Sequence, residues 1–217
     1  MEGLVVKLPK TAHTDRPWRI HELAGDFRLA DVWALPTPGG PSDFPRLVRQ
    51  LAEGNGEHRS RLVRALFAIR WTLGAVFGWD RTDFGLGSRV PSLRDRLPPD
   101  LRDGPVGPDL RAVPFTSVYS THEEWVSESA NRTVHAILHI GWVPDGVTGG
   151  YRGQMAVLVR PNGVLGVLYL ALIAPVRRLI VWPSLIRMIG RDWRFEPTSA
   201  AQADQNGRAG DPDAHTH

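Results

Sequence analysis

His135 and His139 stand four residues apart, and Glu124 and Glu128 lie shortly before them. On a helix, histidines at that spacing share a face and can hold one metal ion. The surrounding residues argue against a helix: Thr133 to Val143 is rich in β-branched and aromatic side chains, a strand composition. Four residues along a strand cover roughly 13 Å, too far for one ion to bridge. No metal site is therefore expected. The remaining chemistry is proton transfer. A glutamate beside a histidine makes a general acid–base pair if both face a dry cavity. Otherwise it makes an ordinary cross-strand ion pair. The ion pair is the preferred reading, because no residue pattern places either group inside.

The same strand has two faces. Val134, Ala136, Leu138, Ile140 and Trp142 form one, and Thr133, His135, Ile137, His139 and Gly141 the other. The apolar face is expected against a core helix. The histidine face is then either solvated or the polar wall of a cavity, since alternation marks a half-buried sheet without labelling its wetter side. Tyr119, Trp125, Tyr151 and Tyr169 each join an apolar body to one polar tip, which suits a ligand-orienting role and equally suits plain packing. Together with Glu128, His135, His139 and Trp142 they form the expected ligand-binding set. No catalytic residue stands out.

These residues must be positioned by a sheet meander. Strands are predicted at 31–36, 115–120, 124–129, 133–143 and 151–160, and the short connections make the last four antiparallel neighbours. Residues 1–17 read as an extended arm with Pro9 and Pro17. A helix at 43–52, capped by Ser42 and ended by Gly54-Asn55-Gly56, follows the first strand. A second is predicted at 59–78, where Leu62, Leu66, Ile69, Leu73 and Val76 recur at helical spacing. Residues 80–113 are rich in proline and glycine, and serve either as a lid or as a solvated excursion. A long terminal helix runs over 164–193, kinked at Pro175 and Pro183. It is apolar all round from Val164 to Ala174. The apolar run from Gly163 meets Arg177 and Arg178 well short of the about 20 residues a membrane span needs. A buried helix is expected, and no membrane span. Gly166 and Ala171 leave room beside Tyr169, which suggests a pocket between this helix and the sheet. The polar tail, 196–217, is expected to be disordered.

Composition narrows the function. The 217 residues suit one domain, 1–195, with a substantial core. There is no cysteine, which removes disulfides and thiolate metal sites and suits a reducing, cytoplasmic setting. The first residues lack the apolar run of a secretory signal. Of 26 basic residues only Lys7 and Lys10 are lysine, and the net charge is +3. The arginines are interleaved with acids, as at Arg94-Asp95-Arg96, so no basic stripe for nucleic acid is expected. No glycine-rich dinucleotide loop, phosphate loop or nucleophile elbow occurs, and no cofactor is expected.

Several short stretches carry a family likeness. Pro9-x-x-Ala-His13, Arg16-Pro-Trp-Arg19, Asn131-Arg-Thr-Val-His135, His139-x-Gly-Trp-Val143, Tyr151-Arg-Gly-Gln-Met-Ala-Val157 and the run Pro175 to Pro183 resemble the bacterial domain-of-unknown-function 2867 family. The resemblance implies the helix-grip fold of START lipid-binding domains and pollen allergens. That fold is an α+β curved antiparallel sheet of six or seven strands around a long C-terminal helix, with two shorter helices after the first strand. Strands beyond the five predicted would then fall within 80–113. Three functions fit such a scaffold. The first is binding of an apolar or amphipathic small molecule in an internal cavity. The second is a cofactor-independent cyclase, dehydratase or hydrolase. The third is a protein-interaction module whose apolar helix docks a partner. A closed apolar cavity would favour the first, histidine and carboxylate converging in that cavity the second, and a filled core with an exposed apolar patch the third. Neither the ligand nor the oligomeric state follows from the residues.

Overall fold

The computed structural model describes residues 5–54, 90–111, 113–131 and 133–195. The predicted helix at 59–78, residues 79–89 and the tail lie outside these. Six strands form one antiparallel sheet: β1 (Val6–Lys7), β2 (Arg28–Ala34), β3 (Thr116–Ser120), β4 (Glu124–Ala130), β5 (Val134–Pro144) and β6 (Tyr151–Pro161), in the order β1-β2-β6-β5-β4-β3. The sheet carries a terminal helix over 163–195, an α+β helix-grip arrangement. Among the described residues the sixth strand comes from the N-terminal arm. The arm is also less extended than its prolines suggest. It turns through a single-turn helix, α1 (Thr11–Thr14), and a second, α2 (Ile20–Leu23), follows it.

Both faces of the sheet are covered. On the helix face lie α3 (Phe44–Glu53) and the terminal helix. Phe44, Leu47 and Leu51 of α3 pack with Trp125, Ile140 and Trp142 of the sheet. The N-cap of α3 is Asp43, one residue after the predicted Ser42, and its carboxylate accepts from the Gly40 N–H at 2.8 Å. The histidine face is neither solvated nor a cavity wall. Trp18, Ile20, Leu23 and Phe27 from the segment between the arm and β2 cover it, joined by Leu93, Leu97 and Leu101 from the proline-rich stretch. Those three leucines sit around a 3-10 turn, Leu93–Arg96, and helix α4 (Pro99–Arg102). Trp18 presses against the β5 backbone at Gly141, where a Cβ would lie 2.7 Å from its ring. Alternation in β5 marked the two faces correctly. It carried no information about which distant segment would cover the second one.

Two β-bulges re-aim side chains, a recurrent use of the extra residue. In β3 the register shifts between Ser117 and Tyr119. Tyr119 therefore faces the histidine side, while Ser117 faces the helix side and accepts from Trp125 Nε1 at 2.6 Å. In β2 the shift lies between Leu29 and Asp31. It turns Asp31 to the helix face, where the carboxylate accepts from Arg177 Nε at 3.1 Å, Arg178 Nε at 3.1 Å and Trp182 Nε1 at 3.3 Å. Lys7 approaches the same group at 3.6 Å. Burial opposes ionisation of Asp31, but Arg177 and Arg178 outweigh it and hold the carboxyl below its usual range.

The terminal helix comprises α5 (Gly163–Val176), a π-helical turn (Arg177–Val181) and α6 (Trp182–Phe195). The irregular turn falls between the two prolines, neither of which ends the helix. The expectation of a buried helix holds for one side only. Gly166, Ile186, Ile189, Gly190 and Trp193 are its buried residues, all on the sheet side. Gly166 leaves no pocket: a Cβ there would stand 2.1 Å from the Thr133 carbonyl oxygen. The small residue is what lets the helix backbone meet the start of β5.

Candidate functional site

The two glutamate–histidine pairs form in the core of the histidine face. Glu124 stands opposite Gly141 and Glu128 opposite Ile137. Each carboxylate therefore meets a histidine diagonally, two residues along β5. His139 Nε2 donates to Glu124 Oε2 at 3.0 Å, and His135 Nε2 to Glu128 Oε2 at 2.7 Å. All four side chains are essentially buried.

Glu124 also accepts from the Arg19 N–H at 2.9 Å and from the Tyr119 hydroxyl at 3.2 Å. Burial opposes its charge, yet His139, the Arg19 amide and Tyr119 hold its carboxyl below the usual range. Burial and the Glu124 charge push the Tyr119 hydroxyl upward, so it stays a proton donor. Glu128 accepts from the Leu93 N–H at 3.0 Å and from the Ser92 hydroxyl. Burial works against its ionisation too, and is outweighed by His135, Ser92 and Leu93. Both carboxylates thus pin the covering segments, Arg19 just after the arm and Ser92-Leu93, to the sheet.

Sequence reasoning missed His13 and His21, which complete this cluster. His13 is buried, with its ring edge-on to His139 at 4.8 Å between centroids. Its Nδ1 is hydrogen-bonded to His21 Nε2 at 3.1 Å, and His21 is exposed. Burial, then the charges of His139 and His21, lower the His13 pKa to about 3. The His13 Nε2 and His139 Nδ1 atoms find no hydrogen-bond partner among the described residues. The available signal was the Pro9-x-x-Ala-His13 stretch, which had entered only as a family mark.

The eight residues expected to line one cavity do not converge. Tyr119, Glu128, His135 and His139 lie on the histidine face, whereas Trp125 and Trp142 belong to the core on the other side, with Tyr151 packed against it. Trp142 donates Nε1 to the Gly40 carbonyl at 3.0 Å and stacks on Tyr151 at 6.5 Å. Tyr169 packs on Val134, Val157 and Val159 beneath the terminal helix. A groove of about 370 Å³ opens elsewhere, beside Phe44, Val48 and Arg111.

The other distinctive surface is the outer side of the terminal helix. Leu165, Leu168, Leu172, Val176 and Leu179 recur at steps of three and four and are 45–76% exposed. They belong to one stripe, opposite the side that meets the sheet. By length and composition the 33-residue helix could also cross a membrane. The likeness read from the short motifs is upheld by comparison. The family model described as Protein of unknown function (DUF2867) matches residues 23–184, and the chain belongs to this family. No curated protein and no solved structure matches it.

Proposed function

We propose that this protein is an interaction module that docks a partner through the outer face of its terminal helix. The observation carrying this reading is the exposed leucine stripe beside a sheet whose two faces are both filled with side chains. A contiguous exposed apolar patch on a folded protein marks an interaction surface. The glutamate–histidine pairs then serve as internal pins for the covering segments, not as an acid–base centre. Binding of an apolar or amphipathic small molecule is a second reading, and its support is the groove beside α3. Kinship with START domains, which would favour that second reading, rests on the arrangement of elements alone.

The docking reading is tested in host extract with the full chain and a Leu168→Ser/Leu172→Ser variant. The parent is expected in a fraction larger than its own 24.1 kDa, either a complex or a sedimenting membrane fraction. The variant should return to the free size. Substitution at Val147, 93% exposed on the β5–β6 connection, should change nothing. A parent that already runs free, or a variant that stays associated, overturns the reading.

A further inference from the structure

The exposed side of the helix does not end at Leu179. After residues 181–186, none of them exposed, it resumes along α6 as Arg187, Arg191 and Arg194, again at steps of four and three. Phe195, 85% exposed, closes it. Asp192 is the lone acid between Gly163 and Phe195, and it is half-buried. The exposed side of the helix thus presents about 21 Å of apolar surface and, beyond the unexposed residues 181–186, about 10 Å of basic surface. Pairing this face with itself in a second copy would cover the leucines but bring no exposed acid from 163–195 to the arginines. A bilayer with acidic headgroups matches both parts: acyl chains take up the leucines and headgroups meet the arginines.

The inner face shows why the helix would lie on a bilayer and not cross it. Gly166 is locked against the Thr133 carbonyl, and Asp31 holds Arg177, Arg178 and Trp182 to β2. Spanning would tear these contacts apart and strand a buried carboxylate, whereas lying flat keeps them.

We infer that the partner of this face is an anionic phospholipid surface, on which the terminal helix lies flat. The inference rests on the docking reading above and goes further by naming the occupant. The test is co-sedimentation of the purified full chain with vesicles of phosphatidylcholine alone or mixed with phosphatidylglycerol. The parent should pellet with the mixed vesicles and much less with the neutral ones. Each arginine near an acidic surface is worth roughly fivefold in partitioning, so Arg187→Gln/Arg191→Gln/Arg194→Gln should weaken binding to mixed vesicles roughly a hundredfold. Leu168→Ser/Leu172→Ser should abolish binding to both. All five positions are exposed, and near-ultraviolet circular dichroism of the tryptophans checks that each variant is folded.

A parent that pellets with neither vesicle overturns the bilayer, as does an arginine variant that binds mixed vesicles like the parent. If the parent then forms a dimer that Leu168→Ser/Leu172→Ser dissolves, the occupant is a second copy and the docking reading survives. The chain has no cysteine, so a spin label on Leu168→Cys is unique. An immobile label on a free monomer would mean that the chain covers its own stripe, and both readings would fall.

Discussion

Replacing Glu128 with alanine is expected to destabilise the protein by about 3–5 kcal/mol, the range for leaving one partner of a buried charged pair alone. The carboxylate is buried and joins three parts of the chain. It accepts from His135 Nε2 on β5 at 2.7 Å, from the Leu93 N–H at 3.0 Å and from the Ser92 hydroxyl. Alanine would leave the Leu93 amide without its acceptor inside the core. It would also release the turn that places Leu93 and Leu97 over the sheet. Glu128→Gln keeps the shape and one acceptor oxygen, so its cost should be about 1–3 kcal/mol. Urea unfolding of the two variants measures the difference. A Glu128→Ala loss below about 1 kcal/mol would mean that the covering segment is held by its leucines alone.

Acid should unfold the protein earlier than carboxylate protonation alone would require. The His13 pKa falls to about 3 in the fold, from its ordinary 6.5. Between those values the unfolded chain binds a proton that the folded chain refuses. Stability is therefore complete above pH 6.5 and drains away as pH falls, with the loss from His13 finished near pH 3. The whole shift corresponds to about 5 kcal/mol, of which about 2 kcal/mol should go between pH 6.5 and 5. Glu124 and Glu128 act in the same direction but lower down. Their carboxyls are held below the ordinary 4.5, so their contribution is present above that value and lost beneath it. His13→Phe should flatten the curve between pH 6.5 and 5 and leave the steep limb below 4.5. A parent protein equally stable at pH 7 and pH 5 would refute this account.

Much of the sheet was legible because β4, β5 and β6 are joined by short turns and β5 alternates strongly. The pairing of Glu124 and Glu128 with histidines was legible as ion pairs for the same reason: the tight turn at Asn131 fixes the register. Neither bulge was legible. Each shifts one residue by one place, so Asp31 changes faces without any change in the alternation pattern around it. The arm at 1–17 was misread because Thr11–Thr14 is a single turn, too short to build a periodic signal, and the turn at Ile20–Leu23 escaped notice for the same reason. The terminal helix posed a different problem. Apolarity on all sides says that both faces avoid water, and burial by the sheet accounts for only one of them. The arginines at 187, 191 and 194 were visible on the sequence, but the face they share depends on the π-helical turn at Arg177–Val181, which no residue pattern announced.

Strand order also sets a timetable for synthesis. The chain emerges from the ribosome with β2 early, yet β2 pairs with β6, the last strand made, and β1 pairs only with β2. The meander from β3 to β6 can close by local hairpins as it appears, and such contacts form fastest. In pulsed hydrogen exchange during refolding, amides of β4 and β5 should gain protection before those of β2. Until β6 is out, β2 has no strand to pair with and β1 has only β2, so this side of the sheet is completed after the meander although it is made before it.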